Sequence, residues 1–393
     1  MSDVPHLRFP EFSGEWNKYT INDLATVVGG GTPDTTVKSY WGGDIQWFTP
    51  SEIGKNKYVD FSKRTITRDG LDNSSAKLLP LHTILLSSRA TVGECSIASN
   101  ECTTNQGFQS LIAKQCNIDF LYYLIQTKKK DLIRNACGST FLEISANEIR
   151  KIKVAVPVQN EQEQIAKLLS LIDERIATQN KIIDKLKSLI KGLPHKMAEI
   201  GLQKGCWEKV LLSTVLVERK ELNSELYTVH SVSVSEGVIN QIEYLGRSFA
   251  AKDTSNYHVA RYGDIIYTKS PTGDFPYGIV KQSYIEQPVA ISPLYGVYSP
   301  TSFETGVYLH YYFMSSVLAK NYLYPLIQKG AKNTINISNQ RFLENRIALP
   351  LKQTDRHNIA RALITIQKKL DIEKCAMDSL TKQRSYLLQQ LFI

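Results

Sequence analysis

The chain has 393 residues, of which 42% are hydrophobic and 22% are charged, and its 47 Lys and Arg against 38 Asp and Glu give a net charge of +9. This balance excludes a disordered or fibrous protein, and the length predicts at least two hydrophobic cores. The positive charge fits a polyanionic partner without establishing one.

Targeting and metal signals are absent from the sequence. The first residues lack the basic and then apolar pattern of a secretory signal, and no apolar run approaches the ~18 residues of a membrane span. The six cysteines show no Cys-x-x-Cys spacing, which argues against a structural zinc site and favours free thiols in a reducing compartment. We therefore expect a cytoplasmic protein without membrane association.

Residues 1–157 have the texture of an α/β domain. A β-rich run at Thr83–Leu86 and a helical stretch near Phe120–Ile133 are separated by loops. The glycine-rich run Gly29–Pro33 lacks the Gly-x-x-x-x-Gly-Lys-Ser/Thr pattern of a phosphate-binding loop, so it predicts a tight turn.

Residues 158–200 predict a long helix with a heptad seam. Apolar residues recur at spacings of three and four from Ile165 to Leu193, as in a coiled coil. Asn160 is expected to cap its start, and Gly192 and Pro194 are expected to break or kink its end.

The same order then repeats. Residues 201–350 predict a second α/β domain, with a β-rich run at Asp264–Thr268 and a helical stretch near Tyr308–Leu323. Residues 351–393 predict a second heptad helix, which begins after Pro350 with Asp355 as its cap.

An internal repeat supports this organisation. The segments Ile144–Leu169 and Ile337–Leu363 share an Ile-Ser pair, a proline and an Ile-Ala pair in the same order, and Trp16 and Trp207 open the two halves. The sequence thus predicts two α/β domains related by an approximate two-fold axis, separated by two long antiparallel coiled-coil helices. Two core helices of ordinary domains are the alternative.

The loops of both domains carry side chains of the types that contact DNA. Arg and Lys suit phosphates and guanine edges, whereas Asn and Gln suit adenine edges. The candidates in the first domain are Lys55, Lys57, Lys63, Arg64, Ser87, Ser88, Arg89 and Gln106. Those in the second domain are Arg247, Lys252, Lys269, Ser270, Lys281, Lys332 and Asn333. A solvated surface role stays open for each of them.

Several strings in the chain carry a family resemblance. They are Leu7-Arg8-Phe9-Pro10, Gly30-Gly31-Thr32-Pro33, Tyr40-Trp41-Gly42-Gly43-Asp44-Ile45, Leu86-Ser87-Ser88-Arg89-Ala90-Thr91-Val92-Gly93, Thr104-Asn105-Gln106-Gly107-Phe108, Gly138-Ser139-Thr140-Phe141-Leu142-Glu143-Ile144-Ser145 and Glu161-Gln162. In these strings the chain resembles the specificity subunits of type I restriction–modification systems. The second half departs, since it lacks the Tyr-Trp-Gly-Gly string and has Asp355-Arg356 in place of the Glu-Gln pair.

The resemblance implies a non-catalytic subunit whose two α/β domains are target-recognition domains for a bipartite site in double-stranded DNA. It also implies two methyltransferase subunits and two motor–nuclease subunits as partners. S-adenosylmethionine and ATP with magnesium are then expected on those partners, with no cofactor in this chain. A stand-alone DNA-binding regulator and a coiled-coil scaffold are the alternatives.

Overall fold

The α/β class expected from the sequence is confirmed by the computed structural model, which describes residues 4–138, 142–247, 252–329 and 335–393. The chain separates into two compact units, one made of Met1–Gln179 with Ala376–Ile393 and the other of Asn180–Cys375. Two long helices each contribute residues to both units. Across the described ranges, no helix has the length and apolar character needed to cross a membrane.

The first domain precedes the first long helix. Its strands are β1 (Asn17–Thr20), β2 (Ala25–Gly29), β3 (Trp41–Phe48), β4 (Tyr58–Val59), β5 (Arg64–Ile66), β6 (Ile84–Leu86), β7 (Cys95–Ala98), β8 (Cys102–Thr104), β9 (Gln109–Ala113) and β10 (Lys153–Val156). Its helices are α1 (Ile21–Leu24), α2 (Arg68–Asp72), α3 (Ile118–Thr127), α4 (Lys129–Arg134) and α5 (Ala146–Lys151). The first long helix, α6, spans Gln159–Gln203.

The second domain lies between α6 and the second long helix. Its strands are β11 (Trp207–Leu211), β12 (Leu216–Glu218), β13 (Val229–Ser233), β14 (Gly237–Asn240), β15 (His258–Ala260), β16 (Ile265–Tyr267), β17 (Val280–Gln282), β18 (Val289–Ile291), β19 (Gly296–Pro300), β20 (Gln328–Lys329), β21 (Ile335–Asn336) and β22 (Arg346–Pro350). Its helices are α7 (Gln241–Leu245), α8 (Phe303–Phe313), α9 (Ser316–Leu323) and α10 (Asn339–Phe342). The second long helix, α11, spans Gln353–Gln390.

The two domains share a strand order although their sequences differ. The first domain has the sheets β2-β9-β6-β7-β4 and β5-β3-β8, and the second has β12-β19-β16-β17 and β14-β13-β18-β15. The antiparallel run β2-β9-β6-β7 thus corresponds to β12-β19-β16-β17, and the parallel pair β3-β8 corresponds to β13-β18. In each domain the first strand also pairs with the last one, since β1 pairs with β10 and β11 pairs with β22. The sequence repeat is therefore also a repeat of topology.

The repeated Ile-Ser pairs have the same role in both domains. Ser145 accepts a hydrogen bond from Glu148 N and caps α5, and Ser338 accepts one from Arg341 N and caps α10. The isoleucine before each serine is buried. An N-cap serine satisfies an amide that has no partner within the helix, so this local requirement accounts for the repeat.

The predicted caps of the two long helices are wrong. Helix α6 begins at Gln159 and α11 begins at Gln353, so Asn160 and Asp355 both lie inside a first helical turn. A residue within the turn has helical backbone angles and cannot act as the N-cap.

The start of each long helix is instead tied to the preceding proline. Gln162 Nε2 donates to Pro157 O at 2.9 Å, and Arg356 Nε donates to Pro350 O at 2.9 Å. The replacement of the Glu-Gln pair in the second half therefore preserves this contact with a different donor.

Of the predicted break or kink near Gly192 and Pro194, the break is wrong, because α6 continues through Pro194 to its end. A proline inside a helix removes one hydrogen bond and destabilises the helix by about 3 kcal/mol. Ile190 and Ala198 are buried on either side of it, and burial of the flanking turns offsets that penalty.

In the first unit, the end of α11 runs antiparallel to the start of α6. Trp16 contacts both ends, since its Nε1 lies 3.3 Å from Glu161 Oε1 and its ring lies 6.4 Å from the ring of Phe392. Further along α6, Asp173 Oδ1 lies 2.5 Å from Arg384 Nε. Residue numbers rise along one helix as they fall along the other, so the antiparallel prediction is confirmed within this unit.

Candidate nucleic-acid interface

Four segments that lie far apart in the first domain's sequence are joined by backbone hydrogen bonds. Gly31 N donates to Thr104 O at 2.8 Å, so the glycine-rich segment lies against the loop after β8. Ser88 N donates to Gly107 O at 2.8 Å, and Ile144 N donates to Ser88 O at 2.9 Å. We call these segments, residues 29–33, 87–93, 104–108 and 142–145, the motif cluster.

Close backbone contacts explain why residues 30 and 31 of the glycine-rich segment are glycines. A Cβ atom on Gly30 would lie 2.0 Å from Asn105 O, and one on Gly31 would lie 2.3 Å from Ala76 N. Both neighbours are backbone atoms, which cannot move aside as a flexible side chain can. The segment therefore requires glycine for space. The tight turn predicted from the sequence is wrong, because residues 30–34 follow β2 without a turn and the amides of Gly30 and Gly31 bond instead to Phe108 and Thr104.

Gly31→Ala is expected to destabilise the first unit by about 1–3 kcal/mol, because its methyl group would clash with the backbone of Ser75 and Ala76. Urea denaturation followed by tryptophan fluorescence measures the change. Gly192→Ala is the control, since a Cβ there meets nothing within 4 Å and lies inside α6. Alanine should stabilise that helix by about 0.5–1 kcal/mol, and an equal response of both variants would contradict the steric argument.

Arg89 lies in the exposed loop between β6 and β7, and its Nη2 is 2.6 Å from Glu143 Oε2. A DNA base that binds this guanidinium group must compete with that carboxylate. The neighbouring Ser87 and Ser88 are fully buried, and Ser87 Oγ donates to Arg89 O at 3.0 Å. In this structure the two serines shape the loop and offer no surface to a duplex.

Arg64 is a predicted contact from outside the motif cluster that the structure places beside it. Its Cζ lies 3.5 Å from the ring centroid of Trp41 and 5.4 Å from that of Trp47. Trp47 Nε1 donates to Gly31 O at 2.9 Å, which connects this aromatic pair to the glycine-rich segment. Sequence reasoning missed the role of the tryptophans, although the Tyr-Trp-Gly-Gly-Asp-Ile string and the tryptophan after it signalled them.

Three other predicted residues of the first domain, Lys55, Lys63 and Gln106, are exposed. The Gln106 side chain also hydrogen-bonds to Thr32 in the glycine-rich segment. Their contact with DNA stays a prediction.

Lys57 differs from these three because its charge is already compensated. Its Nζ lies 2.7 Å from Asp119 Oδ1 on α3 and 2.6 Å from Ser170 Oγ on α6. In this structure Lys57 joins β4 to two helices, and a DNA contact would have to displace these partners.

The loop between β16 and β17 is the counterpart of residues 87–93 in the second domain. Thr268 N donates to Ile279 O at 2.9 Å, as Ser87 N donates to Glu94 O at 2.8 Å in the first domain. Each bond closes its loop directly beyond the paired strands, so the two loops leave the sheets at equivalent positions.

This second loop carries Lys269 and Ser270. Ser270 is exposed and Lys269 is half-buried. Burial lowers the pKa of the Lys269 ammonium group, and the carboxylate of Glu218 partly opposes that shift. The structure thus brings two predicted DNA contacts together in one loop.

Lys281 lies on β17, where only 5% of the residue is exposed. Burial lowers the pKa of its ammonium group to about 8. Among the described residues its Nζ has no hydrogen-bond or ion-pair partner. The phosphate contact predicted from the sequence requires this group to reach a DNA backbone, and a residue that is 5% exposed offers little surface for it.

The remaining predicted contacts lie beside or within two stretches of the second domain that the structure does not describe. Arg247 and Lys252 are exposed on either side of residues 248–251. Lys332 and Asn333 lie outside the described residues.

Known proteins resemble this chain in sequence and in fold. Residues 13–188 match the family model described as "Type I restriction modification DNA specificity domain". The chain is 39% identical over 183 residues to the type I restriction enzyme MjaIX specificity subunit of Methanocaldococcus jannaschii, across 44% of this chain and 42% of that protein. It is 29% identical over 199 residues to the EcoR124I/EcoR124II specificity subunit of Escherichia coli, across 49% of this chain and 46% of that protein.

Over its first half, the chain is similar to the specificity subunits of type I restriction enzymes. The resemblance found in the sequence motifs is thereby confirmed, although each match spans less than half of the relative's length. A solved structure described as a type I restriction–modification S subunit from M. genitalium has a TM-score of 0.59 at 17% identity, and the alignment covers 99% of both chains. That likeness confirms the fold of a specificity subunit over the length of the chain.

Proposed function

We propose that this chain is a specificity subunit that recognises a bipartite site in double-stranded DNA, with one half-site for each domain. The observation that carries the proposal is a repeated scaffold with different loops. Sheets with the same strand order carry the loop of residues 87–93 in one domain and the loop of residues 268–279 in the other. Since base preference depends on the few side chains that reach a groove, two such domains suit two different half-sites.

The partners follow from the same proposal. Two methyltransferase subunits and two motor–nuclease subunits assemble on the chain in the cytoplasm. S-adenosylmethionine, and ATP with magnesium, bind to those partners, and the chain itself supplies recognition without catalysis. Both MjaIX and EcoR124I/EcoR124II, which resemble it, are specificity subunits of type I restriction enzymes by description.

Exchange of residues 1–157 for those of a family member with a different site tests the division of labour. We expect one half-site to change while the other half-site and the gap persist, because each domain has its own sheets and loops. Mapping of methylated adenines in DNA from cells that express the hybrid complex gives the result. The reciprocal exchange of residues 201–350 is the control and should change only the other half-site. A change in both half-sites after either exchange would contradict the proposal.

A further inference from the structure

We infer that Arg64 reads a base pair of the first half-site, through the paired acceptors of a guanine in the major groove. This inference rests on the proposed DNA recognition and deepens it. Guanine presents O6 and N7 side by side, and the fork of an arginine side chain matches both acceptors. Arg64 meets three requirements for such a contact: a fixed position, free donors and an exposed face.

The position of Arg64 is fixed by an aromatic platform. Its Cζ lies 3.5 Å above Trp41, and the rings of Trp41 and Trp47 meet at 89° with centroids 5.0 Å apart. Both indole N–H groups are engaged, since Trp47 Nε1 donates to Gly31 O and Trp41 Nε1 donates to Asp34 O at 3.1 Å. A guanidinium group held on such a surface loses little further freedom when it binds, which favours specific contact.

The platform follows from the Trp-Gly-Gly sequence at the start of β3. Trp41 and Ile45 both pair with Ile66 of β5, so a bulge lies between them. Gly42 within the bulge has φ of +83°, and a Cβ on Gly43 would lie 2.6 Å from Ile66 O. The bulge brings Trp41 back opposite Ile66, two residues from Arg64 along β5, so that Trp41 lies close to Arg64 on the face that it shares with Trp47.

The donors of Arg64 are free. Among the described residues, no carboxylate or carbonyl accepts a hydrogen bond from its guanidinium group, and the residue is exposed. Two neighbouring arginines differ, because Arg89 pairs with Glu143 and Arg68 pairs with Asp72. Arg64 therefore brings an unsatisfied fork to the surface next to the motif cluster, and DNA need not displace a protein partner to reach it.

The effect of Arg64 should be confined to one half-site. The second domain has no Tyr-Trp-Gly-Gly string, and its strand β13 pairs with β14 without a comparable tryptophan pair. An arginine on such a platform is thus a feature of the first domain alone within the described part of the chain.

The test offers a library of randomised DNA duplexes to the full-length chain bound to its methyltransferase subunits. The wild-type complex should select a bipartite motif. Arg64→Ala should lose discrimination at one base pair of one half-site by about 10- to 100-fold, with every other position unchanged. Arg64→Lys should lose most of it as well, because lysine keeps the charge but not the fork.

Arg68→Ala is the matched control, since Arg68 is an exposed arginine four residues away that already has a carboxylate partner. It should select the wild-type motif. Urea denaturation of each variant shows that the first unit remains folded, and Arg64→Lys keeps the test valid if the alanine variant unfolds.

The outcomes separate this inference from the proposed function. If the wild-type complex selects a bipartite motif and both Arg64 variants select the same motif, the inference is overturned and DNA recognition stands. A uniform loss of affinity in Arg64→Ala, restored in Arg64→Lys, assigns Arg64 to a phosphate and also overturns it. A wild-type complex that selects no motif overturns DNA recognition itself and this inference with it.

Discussion

Arg8→Ala should destabilise the first unit by about 3–5 kcal/mol, the largest loss that we expect from a single change near the surface. Arg8 Nε and Nη2 lie 2.8 Å from the two carboxylate oxygens of Glu161, whose side chain is fully buried. Removal of the arginine leaves a buried carboxylate without its counter-ion, and such a change is strongly destabilising. Urea denaturation followed by the fluorescence of Trp16, which touches the same carboxylate, measures the loss.

Two further variants test this explanation. Arg8→Ala combined with Glu161→Gln should recover part of the stability, because the buried charge is removed together with its partner. Lys151→Ala breaks an ion pair with Glu148 in which both side chains are exposed, and it should change stability by less than about 1 kcal/mol. A similar small loss in Arg8→Ala would show that the Arg8–Glu161 pair behaves as an ordinary surface pair.

Lys281→Met should stabilise the second unit by about 2–3 kcal/mol near pH 7. The lysine stands with 5% exposure among the strands of the second domain, and burial lowers its pKa from the ordinary 10.5 to about 8. Each pKa unit corresponds to about 1.4 kcal/mol between the two protonation states. Methionine fills a similar volume and carries no charge that burial would penalise.

The gain should depend on pH with a definite sign. Between pH 8 and about 10 the unfolded chain binds more protons at Lys281 than the folded chain does, so wild-type stability rises with pH over this window. The advantage of Lys281→Met is therefore largest below pH 8 and declines toward pH 10. Thermal unfolding at pH 7, 8, 9 and 10 measures it, with Lys320→Met, at an exposed position of α9, as the control for charge. A constant advantage at every pH would rule out ionisation as its cause.

Much of the architecture could be predicted from the sequence because its determinants are local. Ser145 caps a helix of six residues and Ser338 caps one of four, each through an amide three positions ahead. The heptad spacing likewise predicted two long helices, since residues three and four apart share a helical face. A local rule failed where packing outweighed it, as in the continuation of α6 through Pro194.

The candidate site was predicted in its parts and not in its arrangement. The strings that carry the family resemblance were visible in the sequence, but the bonds from Gly31 to Thr104 and from Ser88 to Gly107 join residues that strand pairing alone brings together. Charge and residue type could not distinguish Arg64, whose donors are free, from Lys57, whose charge is compensated by Asp119.

The sequence by itself determined the repeat, the two long helices and the family resemblance, because these depend on residue types at short, regular spacings. Tertiary structure decided which of the predicted DNA contacts are exposed, since that depends on pairing between distant strands. Ser87, Ser88 and Lys281 became buried when their strands paired, whereas the bulge at Gly42 and Gly43 set Arg64 against Trp41. Long-range register, which no local pattern encodes, thus separates the residues that can meet a ligand from those that support the fold.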